Sequence, residues 1–276
     1  MTSIFTVTRS LCVALFIIAG FSMPAYAAVT DETAFVFNTF SFLVHGFLVM
    51  LMAAGFAMLE SGLVRTKNTA AICLKNMALY SIAGIMFYVI GYNLMYTDVP
   101  EGGWIGSFSL FYNTSQAEID LLAATAAEKV TPEIVKAANC AGYSVMSDWF
   151  FQMVFVATAA SIVSGTVAER IKVWPFLIFV VVLTGFIYPI QASWVWGAGW
   201  LDQMGFSDFA GSTLVHSTGG WAALTGAIIL GARKGKYAKD GSIQPIPGAN
   251  LPLATLGTFI LWFGWFGFNG GSQLAL

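Results

Sequence analysis

Six apolar stretches, each long enough to cross a hydrocarbon layer, leave this chain few folds to choose from. They run roughly over 34–63, 71–97, 146–167, 174–194, 210–232 and 253–276. A helix needs about 20 apolar residues to cross a core about 30 Å thick. In lipid every backbone N–H and C=O must be satisfied within the protein, so such stretches form helices. With 58% hydrophobic residues, 9% charged residues and a mean hydropathy of +0.77, the chain lies outside the range of soluble globular domains. The expected class is all-α, a polytopic transmembrane helix bundle. No short-period repeat is visible, and only one half of any larger inverted repeat has room to be present.

Residues 1–27 read as a signal peptide: Arg9 in a short leading region, an apolar run from Leu11 to Phe21, and small residues at Ala25-Tyr-Ala27. Cleavage after Ala27 leaves the new N-terminus outside and residues 28–276 as one membrane domain; the alternative is an uncleaved anchor. Nine later basic residues (Arg65, Lys67, Lys75, Arg170, Lys172, Arg233, Lys234, Lys236, Lys239) fall in three short segments, which the positive-inside rule makes cytoplasmic. The long polar connection 98–145 and the loop 195–209 are then external. Asn68 is placed to cap the second helix. The three cysteines, Cys12, Cys73 and Cys140, are too dispersed for a disulfide framework.

Chemistry concentrates in Asp208-Phe-Ala-Gly-Ser-Thr-Leu-Val-His216 and the helix that follows. His216 lies eight residues beyond Asp208, about 12 Å deeper at the helical rise, so an imidazole sits inside the bilayer. Ionisable groups there are costly, and a functional role is the default reading. Gly219, Ala223, Ala227 and Gly231 recur every fourth position, a spacing that admits a close helix partner. For Asp208 two readings stand together, a helix cap and a carboxylate that attracts cations. Trp196 is either an interfacial belt residue or a π face for a cation. His45, among apolar neighbours in the first stretch, has packing and functional readings of equal standing. No phosphate loop, zinc spacing, nucleophile elbow or dinucleotide fingerprint occurs, so no catalytic residue, metal or cofactor is expected.

The block Asp208 to His216 resembles the signature of the ammonium transporter (Amt/Rhesus) family. Further matches follow in that family's order: Gly62-Leu-Val-Arg-Thr-Lys-Asn68, Ala168-Glu-Arg-Ile171, Trp194-Val-Trp-Gly197 and Gly264-Trp-Phe-Gly-Phe-Asn-Gly-Gly-Ser272. Trp196 and Ser272 favour the bacterial ammonium transporter branch over the Rhesus branch. The resemblance implies an eleven-helix inverted-repeat transporter, of which this chain holds the first half and the start of the second, assembled as a homotrimer in an inner or plasma membrane. It implies ammonium or methylammonium as substrate, recruited outside by Trp196, Phe155 and Ser272 with Asp208 nearby. Below lies a gate of Phe155 and Phe268, and then His216 as one of two pore histidines, its partner falling in a tenth span beyond residue 276. A cytoplasmic PII-type signal protein is an implied partner; nucleic acid is not.

The physics agrees with the resemblance. A bare ammonium ion meets a large desolvation cost in an apolar pore and neutral ammonia does not, so deprotonation near the gate separates ammonium from potassium. The rival reading is an ammonium sensor-transducer. A membrane enzyme acting on a small amine has no motif behind it.

Overall fold

The computed structural model describes residues 30–138 and 142–275; the expected signal peptide at 1–27 lies outside the described residues, as does Cys140. Six described helices have the length and composition of membrane spans: α1 (Asp31–Leu63), α2 (Thr66–Tyr96), α5 (Val145–Thr166), α6 (Val173–Ser193), α8 (Ser212–Leu230) and α9 (Leu251–Gly271). Short helices α3 (Gln116–Ala126), α4 (Pro132–Ala138) and α7 (Trp200–Gln203) occupy the two polar connections. Asp31 and Glu32 open α1, where the helix dipole favours negative charge. Ser115 caps α3 by accepting from the Glu118 N–H at 3.2 Å.

α5 lies at the centre. Every residue from Phe151 to Ser161 is buried, as expected of a helix that is apolar all round. The tightest seam joins α1 and α9, which run antiparallel. A Cβ placed on Gly257, Gly264 or Gly267 would come within 2.6 to 3.0 Å of the carbonyl oxygens of Gly55, Leu48 and His45 respectively. Only glycine allows backbones this close, and in lipid such contact, not hydrophobic exclusion, drives association. The expected stripe on α8 holds for half its length. Gly219 and Ala223 are buried, and a Cβ on Gly219 would lie 2.9 Å from the Ala159 carbonyl of α5. Ala227 is half-buried, and Gly231, exposed at φ 66°, ends the helix rather than packing it.

Three spans contain a π-helical turn: Phe87–Gly91 in α2, Leu183–Ile187 in α6 and Ser212–Ser217 in α8. The first two meet, since a Cβ on Gly91 would lie 3.2 Å from the Thr184 carbonyl oxygen.

At the basic end Lys75, within the expected second stretch, is buried in α2, its Nζ donating to the Ser164 carbonyl at 2.7 Å and 3.9 Å from Glu60 Oε2. One expectation there is corrected. Asn68 makes no side-chain cap, because its amide donates to Glu169 Oε1 instead. Glu169 also accepts from the Arg65 backbone at 3.0 Å and Arg65 Nε at 2.9 Å, and pairs with Arg233 at 3.3 Å. One carboxylate thus ties together the α1–α2 corner, the α5–α6 turn and the segment after α8. Burial alone would raise its pKa, but the Arg65 and Asn68 hydrogen bonds outweigh it and hold the carboxyl below its ordinary 4.5.

Candidate functional site: an aromatic column ending at His216

At the end of the bundle away from the basic segments, a cavity of about 310 Å³ is lined by Trp196, Ser272 and Tyr92 and by Asp148, Phe151, Gln152 and Phe155, which share one face of α5. The loop before α8 shapes it. The Trp196 indole N–H donates to the Asp208 carbonyl at 2.8 Å, which fixes the ring over the cavity. The Asp208 carboxylate accepts from the backbone N–H of Gly211, Ser212, Thr213 and Leu214 at 2.8 to 3.1 Å, and from the Thr213 hydroxyl at 2.5 Å. These are the orphan donors of a helix start. Burial pulls its pKa upward, but the Thr213 hydroxyl and the N–H groups outweigh that and hold it below the ordinary 3.8. Gly211, at φ 98°, makes the turn possible, and a Cβ there would strike Val215 at 2.6 Å and Trp196 at 3.1 Å.

From the cavity a column of rings descends. Phe155 meets Trp196 edge-on at 6.1 Å and Phe268 at 4.1 Å, with Phe151 flanking it at 4.7 Å. Both Phe155 and Phe268 are fully buried. Beneath them the His216 ring lies 5.3 Å from Phe268 and stacks on Trp265 at 5.5 Å. His216 sits in the π turn of α8, where one extra residue per turn opens the backbone ladder, a common device at functional sites. Its Nδ1 is 3.3 Å from the Gly211 carbonyl. A carbonyl only accepts, so this contact suits the tautomer with the proton on Nδ1 and a lone pair on Nε2. The Ser272 hydroxyl donates to the Phe268 carbonyl at 2.8 Å, which leaves its oxygen free to accept, and the residue lines the cavity.

Trp196, Phe155, Phe268, Ser272 and His216 are therefore brought together, although they come from four segments of the chain. Asp208 stands behind the Trp196 side, occupied with the turn. His45 lies in the α1–α9 seam, its Nδ1 2.8 Å from the Ser41 carbonyl and its ring against Gly270, a packing position. Sequence reasoning missed Asp148. An acid in the first turn of an apolar span, seven residues before Phe155, was the available signal.

The Ammonium Transporter Family model matches residues 40–276. The chain is 42% identical to the Archaeoglobus fulgidus ammonium transporter Amt2 over 245 residues, covering 84% of this chain and 47% of that protein. It is 40% identical to a putative ammonium transporter of Synechocystis over 247 residues, covering 88% of this chain and 50% of the relative. Among solved structures it is similar to a Sensor Amt Protein, with a TM-score of 0.75 and 38% identity over 90% of this chain and 57% of that one. Saccharomyces cerevisiae Mep2 follows with a TM-score of 0.68 and 26% identity over 87% and 49%. The chain spans about half the length of the curated relatives it matches. By the six spans among the described residues and by these matches, the chain belongs to the ammonium transporter family.

Proposed function

We propose that the complete protein moves ammonium across a membrane. The cation is captured at Trp196, Phe155 and Ser272, gives its proton to water on the outer, cavity side of the Phe155–Phe268 gate, and passes as ammonia along His216. The observation that carries this is the unbroken ring contact from Trp196 through Phe155 and Phe268 to His216. An indole face stabilises a cation by about 0.5–2 kcal/mol, whereas two buried phenylalanines offer an ion nothing in place of water. The Nε2 lone pair of His216 is an acceptor where a polar molecule emerges from the gate. Asp208 acts by holding Trp196 and the π turn. Inner-membrane placement, signal cleavage, homotrimer assembly and a PII-type partner on the basic face belong to the same proposal and rest on the family relationship.

The test is methylammonium accumulation in a strain lacking its own ammonium carriers, with the protein expressed from its complete reading frame. His216→Ala should reduce uptake at least tenfold with the protein still assembled; unchanged kinetics would overturn the pore reading. A second reading, ammonium sensing, is favoured by the similarity to a protein titled Sensor Amt. Ammonium binding without accumulation by the unmodified protein would select it.

A further inference from the structure

The cavity above Phe155 is also lined by polar groups whose chemistry the capture site does not use. Asp148, in the first turn of α5, is 6% exposed and lines the cavity. Its Oδ2 accepts from the Tyr92 hydroxyl at 3.0 Å and its Oδ1 from Gln152 Nε2 at 3.2 Å. Both donors are neutral. The ion pairs among the described residues join Arg65, Lys75 and Arg233 to Glu169 and Glu60, at the other end of the bundle, and none reaches Asp148. A buried carboxylate without a counter-charge is costly. Gln152, 7% exposed, lines the same cavity, and its Oε1 has no hydrogen-bond partner. A cavity-lining carboxylate held only by neutral donors suits one kind of occupant, a small cation carrying several N–H donors.

Asp208 is a poorer candidate for that task. Five donors already converge on it, and the carboxylate among the described lining residues of the cavity is Asp148. We propose that Asp148, held by Gln152 through Oδ1, is a further acceptor of the capture cavity, which binds ammonium or a primary alkylammonium with the carboxylate as its counter-charge. Tyr92 competes with the cation for the carboxylate: its hydroxyl, tied to Oδ2, moderates the charge. The inference rests on the transport reading above and adds a residue to it.

The experiment measures the concentration dependence of methylammonium uptake by the protein from its complete reading frame, with membrane abundance quantified for each variant. Asp148→Asn keeps the shape and an acceptor for Tyr92 but removes the charge, and should raise the half-saturating concentration about tenfold with the maximal rate largely kept. Gln152→Leu should raise it about threefold. Tyr92→Phe frees Oδ2 and should lower it about twofold. A carboxylate that merely tied α2 to α5 would give the same defect in Tyr92→Phe as in Asp148→Asn, and that pattern overturns the proposal, as does an unaltered half-saturating concentration in Asp148→Asn. Should Asp148→Asn fail to reach the membrane, the directions of Tyr92→Phe and Gln152→Leu decide. Trp196→Leu and His216→Ala run alongside: if both transport normally the underlying transport reading fails, whereas loss in these two with Asp148→Asn intact rejects Asp148 alone.

Discussion

Asp208 shows how one side chain carries two separable burdens. Its oxygens satisfy four backbone N–H groups and a hydroxyl, while its carbonyl holds Trp196. Asp208→Ala should cost about 2–3 kcal/mol, the scale of charge-assisted hydrogen bonds, and lower the amount of folded protein. Asp208→Asn should recover much of that loss, because an amide oxygen still accepts. Thermal aggregation of the two variants in detergent compares them, and equal losses would contradict a capping role. The sign with pH follows from the lowered carboxyl: its stabilisation is complete above the ordinary 3.8 and is lost as pH falls through the lower folded value. Trp196→Leu removes the π face alone and should raise the half-saturating methylammonium concentration several-fold; an unchanged curve would leave Trp196 a belt residue. Trp196, His216, Phe268 and Ser272 were identifiable from sequence because each stands inside a contiguous family-like block, and Phe155 by its distance from Ala168-Glu-Arg-Ile171. Asp148 was not, because what distinguishes it is the company of Tyr92, from another span, and the lack of any cation nearby.

At the scale of elements, the six expected spans were readable from hydropathy, most of their ends to within about two residues, and the side-chain partners that hold those ends were not. Lys75 stands inside the expected second stretch, and what admits its charge there, Glu60 on α1 and the Ser164 carbonyl on α5, is not visible along the chain. Asn68 lost its expected cap to Glu169 for the same reason. Glycines in α8 drew notice through their regular spacing, whereas those of α1 and α9 pair with each other over a long sequence separation and show only in three dimensions. Gly264→Leu would drive a branched side chain into Met52 and the Leu48 carbonyl. Overpacking of this kind costs about 1–3 kcal/mol or more, and the prediction is a protein that inserts but loses resistance to protease; full resistance would mean that the seam can spread. Glu169→Ala leaves Arg65, Asn68 and Arg233 without their shared acceptor and should destabilise the basic end by about 2–3 kcal/mol. It also leaves an alanine at φ 62°, where a non-glycine residue is already strained.

For the molecule as a whole, the basic residues at one end and the polar helices α3 and α4 at the other define an orientation. Reporter fusions at Thr69, Ile171 and Lys236 should read as cytoplasmic and a fusion at Asp120 as external; the reverse would overturn the signal-peptide reading. Because the chain spans about half the length of its relatives, residues 28–276 alone should insert with this orientation and accumulate no methylammonium above an empty-vector control.

The antiparallel seam of α1 and α9 also sets a schedule for synthesis. α1 is the first described span to leave the ribosome, and its glycine face waits for a helix encoded roughly 190 residues later, about 10–40 s at ordinary elongation rates. During that interval the groove along Leu48, Met52 and Gly55 is open to lipid, to the insertion machinery, or to any other small-residue helix passing by. A chain stalled between α8 and α9 should therefore be recognised as unfinished by membrane quality control even though five spans are already in place, and release of α9 is the moment at which α1 gains its partner.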